Sequence, residues 1–109
     1  MGEIFDRAAF LERIDGDEDL LEELLKTFLE HTPHQLQEIH QALEAGDALR
    51  LQEQAHSIKG AAASISAEVL REAAWQVELA GKNGEIDRAR SLVAALSHEF
   101  DRLQELLSI

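Results

Sequence analysis

The stretch Gln54-Ala55-His56-Ser57-Ile58-Lys59-Gly60-Ala61-Ala62-Ala63-Ser64-Ile65-Ser66 breaks a local rule inside an otherwise regular helical pattern. Leu51, Ala55, Ile58, Ala62, Ile65 and Val69 recur at steps of three and four, the stripe of a helix packed against a core. Gly60 therefore falls inside a helix, where glycine costs about 1 kcal/mol relative to alanine and needs a packing or access reason. His56, Lys59, Gly60 and Ala63 stand at i, i+3, i+4 and i+7, so they share one face, offset by one residue from the buried stripe. That face offers an imidazole nucleophile, an ammonium able to hold an anion, and then nothing larger than a methyl group.

The remainder of the chain bounds what such a face can do. A length of 109 residues suits one domain with a single core, too small to enclose an elaborate active site, so function belongs on the surface. One proline, a charged fraction of 29% and an apolar set dominated by Leu, Ala and Ile favour an all-α domain. No apolar run approaches the roughly 18 residues of a membrane span, and the N-terminus lacks a basic segment followed by an apolar one, so a soluble, cytoplasmic protein is expected. Cysteine is absent, which excludes disulfides and thiolate metal sites. Ten basic residues against 22 acidic ones give a formal charge of −12. Such a surface repels phosphate backbones, and with no basic patch visible nucleic-acid binding is not expected. The acidity reads as solubility, with steering toward a basic partner as the second reading.

Helical periodicity organises the chain around the central stretch. Ile4, Phe5, Ala8, Ala9 and Leu11, with Phe10 close by, suggest a short first helix ending near Asp15-Gly16-Asp17. A second helix begins after Asp17 or Asp19 and is expected to bury Leu21, Leu24, Phe28, Leu36, Ile39 and Leu43. Pro33 interrupts it, but the apolar stripe resumes in phase on both sides, which predicts one long kinked helix. Gly46-Asp47 reads as a C-terminal glycine followed by the N-cap of the His56 helix. A fourth helix should bury Leu70, Ala73, Ala74, Val77 and Ala80 before a turn at Gly81-Lys82-Asn83-Gly84. Ile86, Ala89, Val93, Leu96, Phe100, Leu103 and Leu107 mark the last. Short connections imply antiparallel neighbours, hence an up-and-down four-helix bundle with a short extra N-terminal helix lying across it.

His-Ser-Ile-Lys-Gly-Ala-Ala-Ala-Ser-Ile, beginning at His56, resembles the signature His-x-(Leu/Ile)-Lys-Gly-(Ser/Ala)-(Ser/Ala) of histidine-containing phosphotransfer (Hpt) domains of two-component phosphorelays. The resemblance extends over nearly the whole chain in length and helix order, so residues 1–109 are expected to form a single Hpt domain. It implies that His56 accepts a phosphoryl group from a receiver-domain aspartate, or from a sensor histidine kinase, and passes it to a response regulator. It also implies that partners dock on the small and apolar residues around His56, with the first helix and the start of the second contributing. Ser66 departs from the pattern, which usually has glycine there; serine can cap the next helix, so the corner is expected to survive with different backbone angles.

Each candidate has a plainer reading. The other histidines, His31, His34, His40 and His98, read as ordinary surface residues, and His56 differs from them only through Lys59, Gly60 and the resemblance. Phosphoryl acceptance needs a neutral ring with one nitrogen free to attack and the other holding a proton against an acceptor. Glu78, 22 residues beyond His56 and beside the apolar Val77, is the candidate acceptor; in Hpt-like domains of the chemotaxis-kinase type a glutamate at this spacing plays that part. The alternative is a solvated helix-face carboxylate. Lys59 would stabilise phosphoryl oxygens, or else be a solvated lysine. Gly60 would clear an approach for the partner, or else mark a tight helix crossing. Trp75 reads as core or near-core packing, with contact to a partner as the second reading.

Competing chemistries lack parts. Glu53-x-x-His56 matches half of a di-iron bundle motif, but no second Glu-x-x-His is present. There is no glycine-rich phosphate loop, so the domain should be a phosphoryl carrier without ATP-dependent activity. No cofactor of its own is expected; Mg²⁺ would come with the receiver. Nothing specifies an oligomer, so a monomer is expected. The rival to phosphotransfer is a pseudo-Hpt module that binds receivers without carrying phosphate, and Ser66 alone favours it.

Overall fold

The computed structural model describes residues 4–107, in five helices: α1 (Arg7–Arg13), α2 (Glu18–Ala45), α3 (Ala48–Ser64), α4 (Glu68–Lys82) and α5 (Ile86–Leu107). No strand occurs among the described residues. Each long helix packs on its sequence neighbour, and α2 also packs on α5, which closes the ring of an up-and-down four-helix bundle. Leu21, Ile39, Leu51, Ile58, Val77, Leu96 and Leu103 fill the axis. The 28 residues of α2 at 1.5 Å each give about 42 Å, which matches the 42 Å long dimension of the molecule.

Local chemistry sets the helix ends. Asp6, Asp17 and Asp47 cap α1, α2 and α3, each carboxylate accepting from the backbone N–H three residues on at 3.0 Å. Gly46 ends α2 at φ 66°, and Asp47 opens α3 directly after it. The helix runs unbroken through Pro33, whose missing donor lies on an exposed part of α2. The in-phase stripe on either side buries Phe28 and Leu36, and that packing outweighs proline's local penalty.

Several boundaries differ from the sequence reading. Ile4 and Phe5 precede α1 instead of starting it, and pack against the core, Phe5 edge-on to Phe10 with ring centroids 6.2 Å apart. On α2 it is Leu25, not Leu24, that faces inward; Leu24 is 37% exposed. The stripe through Ile65 and Val69 crosses a helix boundary, because α3 stops at Ser64 and Val69 lies half-buried on α4. Gly81 and Lys82 belong to α4, leaving only Asn83-Gly84 as the turn.

The corner at Ser66 also differs. Ser66 takes φ 61°, the left-handed angle that glycine favours, and does not cap α4: the N-cap is Ala67, with no side-chain bond. Its hydroxyl is buried without a partner, while its carbonyl accepts from the Asp6 N–H at 3.1 Å, tying the segment before α1 to the corner. Arg13 adds a second tie, Nη1 donating to the Ala63 carbonyl at 2.8 Å. These two bonds hold α1 across the end of α3.

Candidate functional site

The outward face of α3 carries His56 with its side chain 67% exposed. The reason lies in the helix period: Leu51, Ala55, Ile58 and Ala62 face the core, so His56, Lys59, Gly60 and Ala63 turn toward the seam with α4. The antiparallel run of α4 then brings Glu78 across that seam. His56 Nδ1 stands 3.0 Å from Glu78 Oε2. Lys59 Nζ stands 2.7 Å from Oε1, so the carboxylate has a counter-charge on its second oxygen.

Charge and tautomer follow from this geometry. Burial leaves the Glu78 side chain only 16% exposed and is the largest single influence, disfavouring the charged form; contacts with Lys59 and His56 together outweigh it and hold the carboxyl below the usual glutamate range. An ionised Glu78 can only accept, so in the neutral ring the proton sits on Nδ1, which donates to Oε2. The lone pair is then on Nε2, in an exposed ring. That is the electronic state of an in-line nucleophile, and Lys59, 25% exposed, is a cation one turn away on the same helix.

Gly60 is exposed, and a Cβ built on it would meet nothing within 4 Å. The tight-crossing reading of this glycine therefore fails. Trp75, read from the sequence as core or near-core packing, is 39% exposed and lines a groove beside Lys59, Gly60 and Ala63. The signal was present: Leu70, Ala74 and Val77 set the buried line of α4, and Trp75, one residue past Ala74, falls off it. On the other flank of α3 an apolar groove runs between α1 and α2, lined by Phe10, Ile14, Leu24, Phe28, Ala61 and Ile65. Gln35 Nε2 donates to Ser57 Oγ at 2.7 Å along its edge, a contact between distant residues that periodicity does not reveal. His31, His34, His40 and His98 are exposed, and Glu53 is exposed on α3. Among the described residues no three His, Cys, Asp or Glu side chains are grouped to hold a metal ion.

Comparison with known proteins agrees with this geometry. The family model described as Hpt domain matches residues 23–106. The chain belongs to the Hpt domain family. This Hpt domain is 27% identical over 104 residues to the phosphorelay intermediate protein rdeA of Dictyostelium discoideum, a match that takes in 95% of this chain and 41% of that protein's length. Its fold is similar to the crystal structure of histidine-containing phosphotransfer protein B (HptB) from Pseudomonas aeruginosa PAO1, with a TM-score of 0.90 and 30% identity over 99% of this chain and 94% of that one. Among its described residues no helix is long and apolar enough to cross a membrane.

Proposed function

We propose that this Hpt domain is a phosphorelay intermediate that takes a phosphoryl group on His56 and hands it to a response regulator. The observation that carries the reading is the exposed His56 ring whose Nδ1 is committed to Glu78, which leaves Nε2 with the lone pair. Nε2 attacks the phosphorus of a receiver's aspartyl phosphate in line. The N–P bond forms, the P–O bond to the receiver carboxylate breaks, and that carboxylate leaves with the electron pair. Nδ1 keeps its proton, so the ring becomes cationic, and Glu78 is placed to balance it. Lys59, one turn from His56, is the cation placed to turn from Glu78 Oε1 to the phosphoryl oxygens. Transfer onward is the reverse step with a second receiver.

The receiver brings the Mg²⁺ and the acidic pocket; this chain supplies a positioned nucleophile and needs no cofactor or ATP-dependent activity of its own. The groove between α1, α2 and α3 suits docking, since the exposed Leu24 lines it with apolar surface together with Phe28 and Ala61. A monomer in the cytoplasm fits such a partnership with a receiver or a sensor histidine kinase.

Intact mass after incubation with a panel of phosphorylated receivers tests the reading. A phosphoryl adduct lost in acid, stable in base and absent from His56→Gln supports it. A folded protein that binds a receiver and gains no mass would be a pseudo-Hpt binding module. Ser66, the feature that favoured that alternative, takes the left-handed angle that glycine favours.

A further inference from the structure

His56 and Glu78 stand on different helices, so their 3.0 Å contact depends on how closely α3 and α4 approach. Gly81 lies where that approach excludes a side chain. A Cβ there would sit 2.9 Å from the backbone N of Gln52, 3.1 Å from the Ala48 carbonyl oxygen and 3.1 Å from Gln52 Cα. All three are backbone atoms of α3, which cannot swing aside as a flexible side-chain tip can, so any Cβ moves a helix. Gly81 is buried and has no positive φ, so space and not backbone angle demands glycine.

The place of this contact matters. Gly81 follows Glu78 by three residues and Gln52 precedes His56 by four, so in the antiparallel pair the backbone contact lies one turn, about 6 Å, from the His56–Glu78 pair. Glu78 spans two partners with both carboxylate oxygens, at 3.0 Å to His56 and 2.7 Å to Lys59. Contacts of this kind weaken steeply with distance and angle, and a displacement of α4 by a fraction of an ångström leaves the carboxylate unable to hold both.

We propose that Gly81 is a positioning residue for phosphoryl transfer: by seating α4 against the backbone of α3 it sets the reach of the Glu78 carboxylate to His56 and Lys59. This rests on the phosphotransfer reading above, but the geometric part stands apart from it, because the Nδ1–H tautomer of His56 depends on Glu78 whether or not phosphate is carried.

The test is Gly81→Ala, made in a Ser66→Gly background so that relief at the strained corner offsets the cost of the added methyl. Ring ¹⁵N shifts of His56 should move from mostly Nδ1–H toward the mixture of a free imidazole. Acceptance from a phosphorylated receiver should slow roughly five- to tenfold, inside the hundredfold that a 1 Å misplacement costs. A cycle with Glu78→Gln separates positioning from packing: if Gly81 acts through Glu78, the double variant is no slower than the slower single. Ala74→Gly, which weakens α4 without adding volume at the crossing, should lower stability and leave tautomer and rate alone. An unchanged tautomer in Gly81→Ala, or additive losses in the cycle, would overturn the proposal. If the parent protein accepts no phosphoryl group from any receiver, the phosphotransfer reading falls, and the ¹⁵N shifts still decide whether Gly81 positions Glu78.

Discussion

Gly60 and Gly81 both lie inside helices of one packed pair, and their surroundings are opposite. Gly60 faces solvent beside His56, and an added Cβ would touch nothing; Gly81 faces α3, and an added Cβ would strike its backbone at 2.9 Å. An interior glycine costs a helix about 1 kcal/mol, so Gly60 needs a compensating reason; Gly81, in the last turn of α4, has a reason of a different kind. At Gly60 the bundle gains nothing, and under the proposed function the cleared surface serves an approaching partner. At Gly81 the bundle itself gains a close helix crossing. A stability measurement and a transfer measurement should therefore rank the two glycines in opposite order.

The comparison presumes that chemistry occurs at His56, and His56→Gln is the most damaging test of it. That variant should fold normally and lose all phosphoryl acceptance by intact mass; residual acceptance would move the site and remove the meaning given to Gly60. Next comes Gly60→Leu, expected to block transfer while raising stability toward urea by up to about 1 kcal/mol, since helix propensity improves and the side chain meets open space. Normal transfer rates would end the access argument. Gly81→Ala in the native background should run the other way, losing about 1–3 kcal/mol as an overpacked site, which a thermal melt reads as a midpoint lowered by several degrees.

Ser66 sharpens the contrast with a third reason for glycine. Its φ of 61° disfavours any Cβ, and its buried hydroxyl lacks a partner. Ser66→Gly should stabilise by about 0.5–1 kcal/mol, the relief of left-handed strain and of the orphan hydroxyl exceeding the added chain entropy. A loss of stability would show that the serine hydroxyl finds a partner in solution.

The smallest effect concerns pH. Because contacts with Lys59 and His56 hold the folded-state Glu78 carboxyl below its usual 4.5, the carboxylate contributes stability above that value, and the contribution fades as pH falls through the lower folded value. Denaturation of the native chain and of Glu78→Gln should therefore converge as the medium is acidified below 4.5. A constant gap would assign the carboxylate no ion-pair role. At neutral pH, Glu78→Ala should slow transfer modestly if the carboxylate orients the ring, with no loss of the adduct itself.

Much of this was legible in the residues. Caps at Asp17 and Asp47, the glycine stop at Gly46, and the stripes of α2, α3 and α5 are local or periodic signals, set by spacing and side-chain chemistry within one or two turns. The motif around His56 is equally local. The misreadings lie where two elements meet. Leu24 and Leu25 are equally apolar; Leu25 keeps step with Leu21, Phe28 and Thr32 on the buried line, and Leu24 lies at its edge in the groove beside α1. Trp75 reads as core or near-core packing, and its register on α4 turns it toward the groove beside Gly60.

The amino-acid sequence by itself determined the class and the helix order and displayed the motif around His56, because helical period and capping act through neighbours in the chain. Only the tertiary structure decided which glycine faces open space and which a neighbouring helix. It alone brought one carboxylate to both His56 and Lys59 across the α3–α4 seam, since contacts between residues 22 apart depend on where whole helices come to rest.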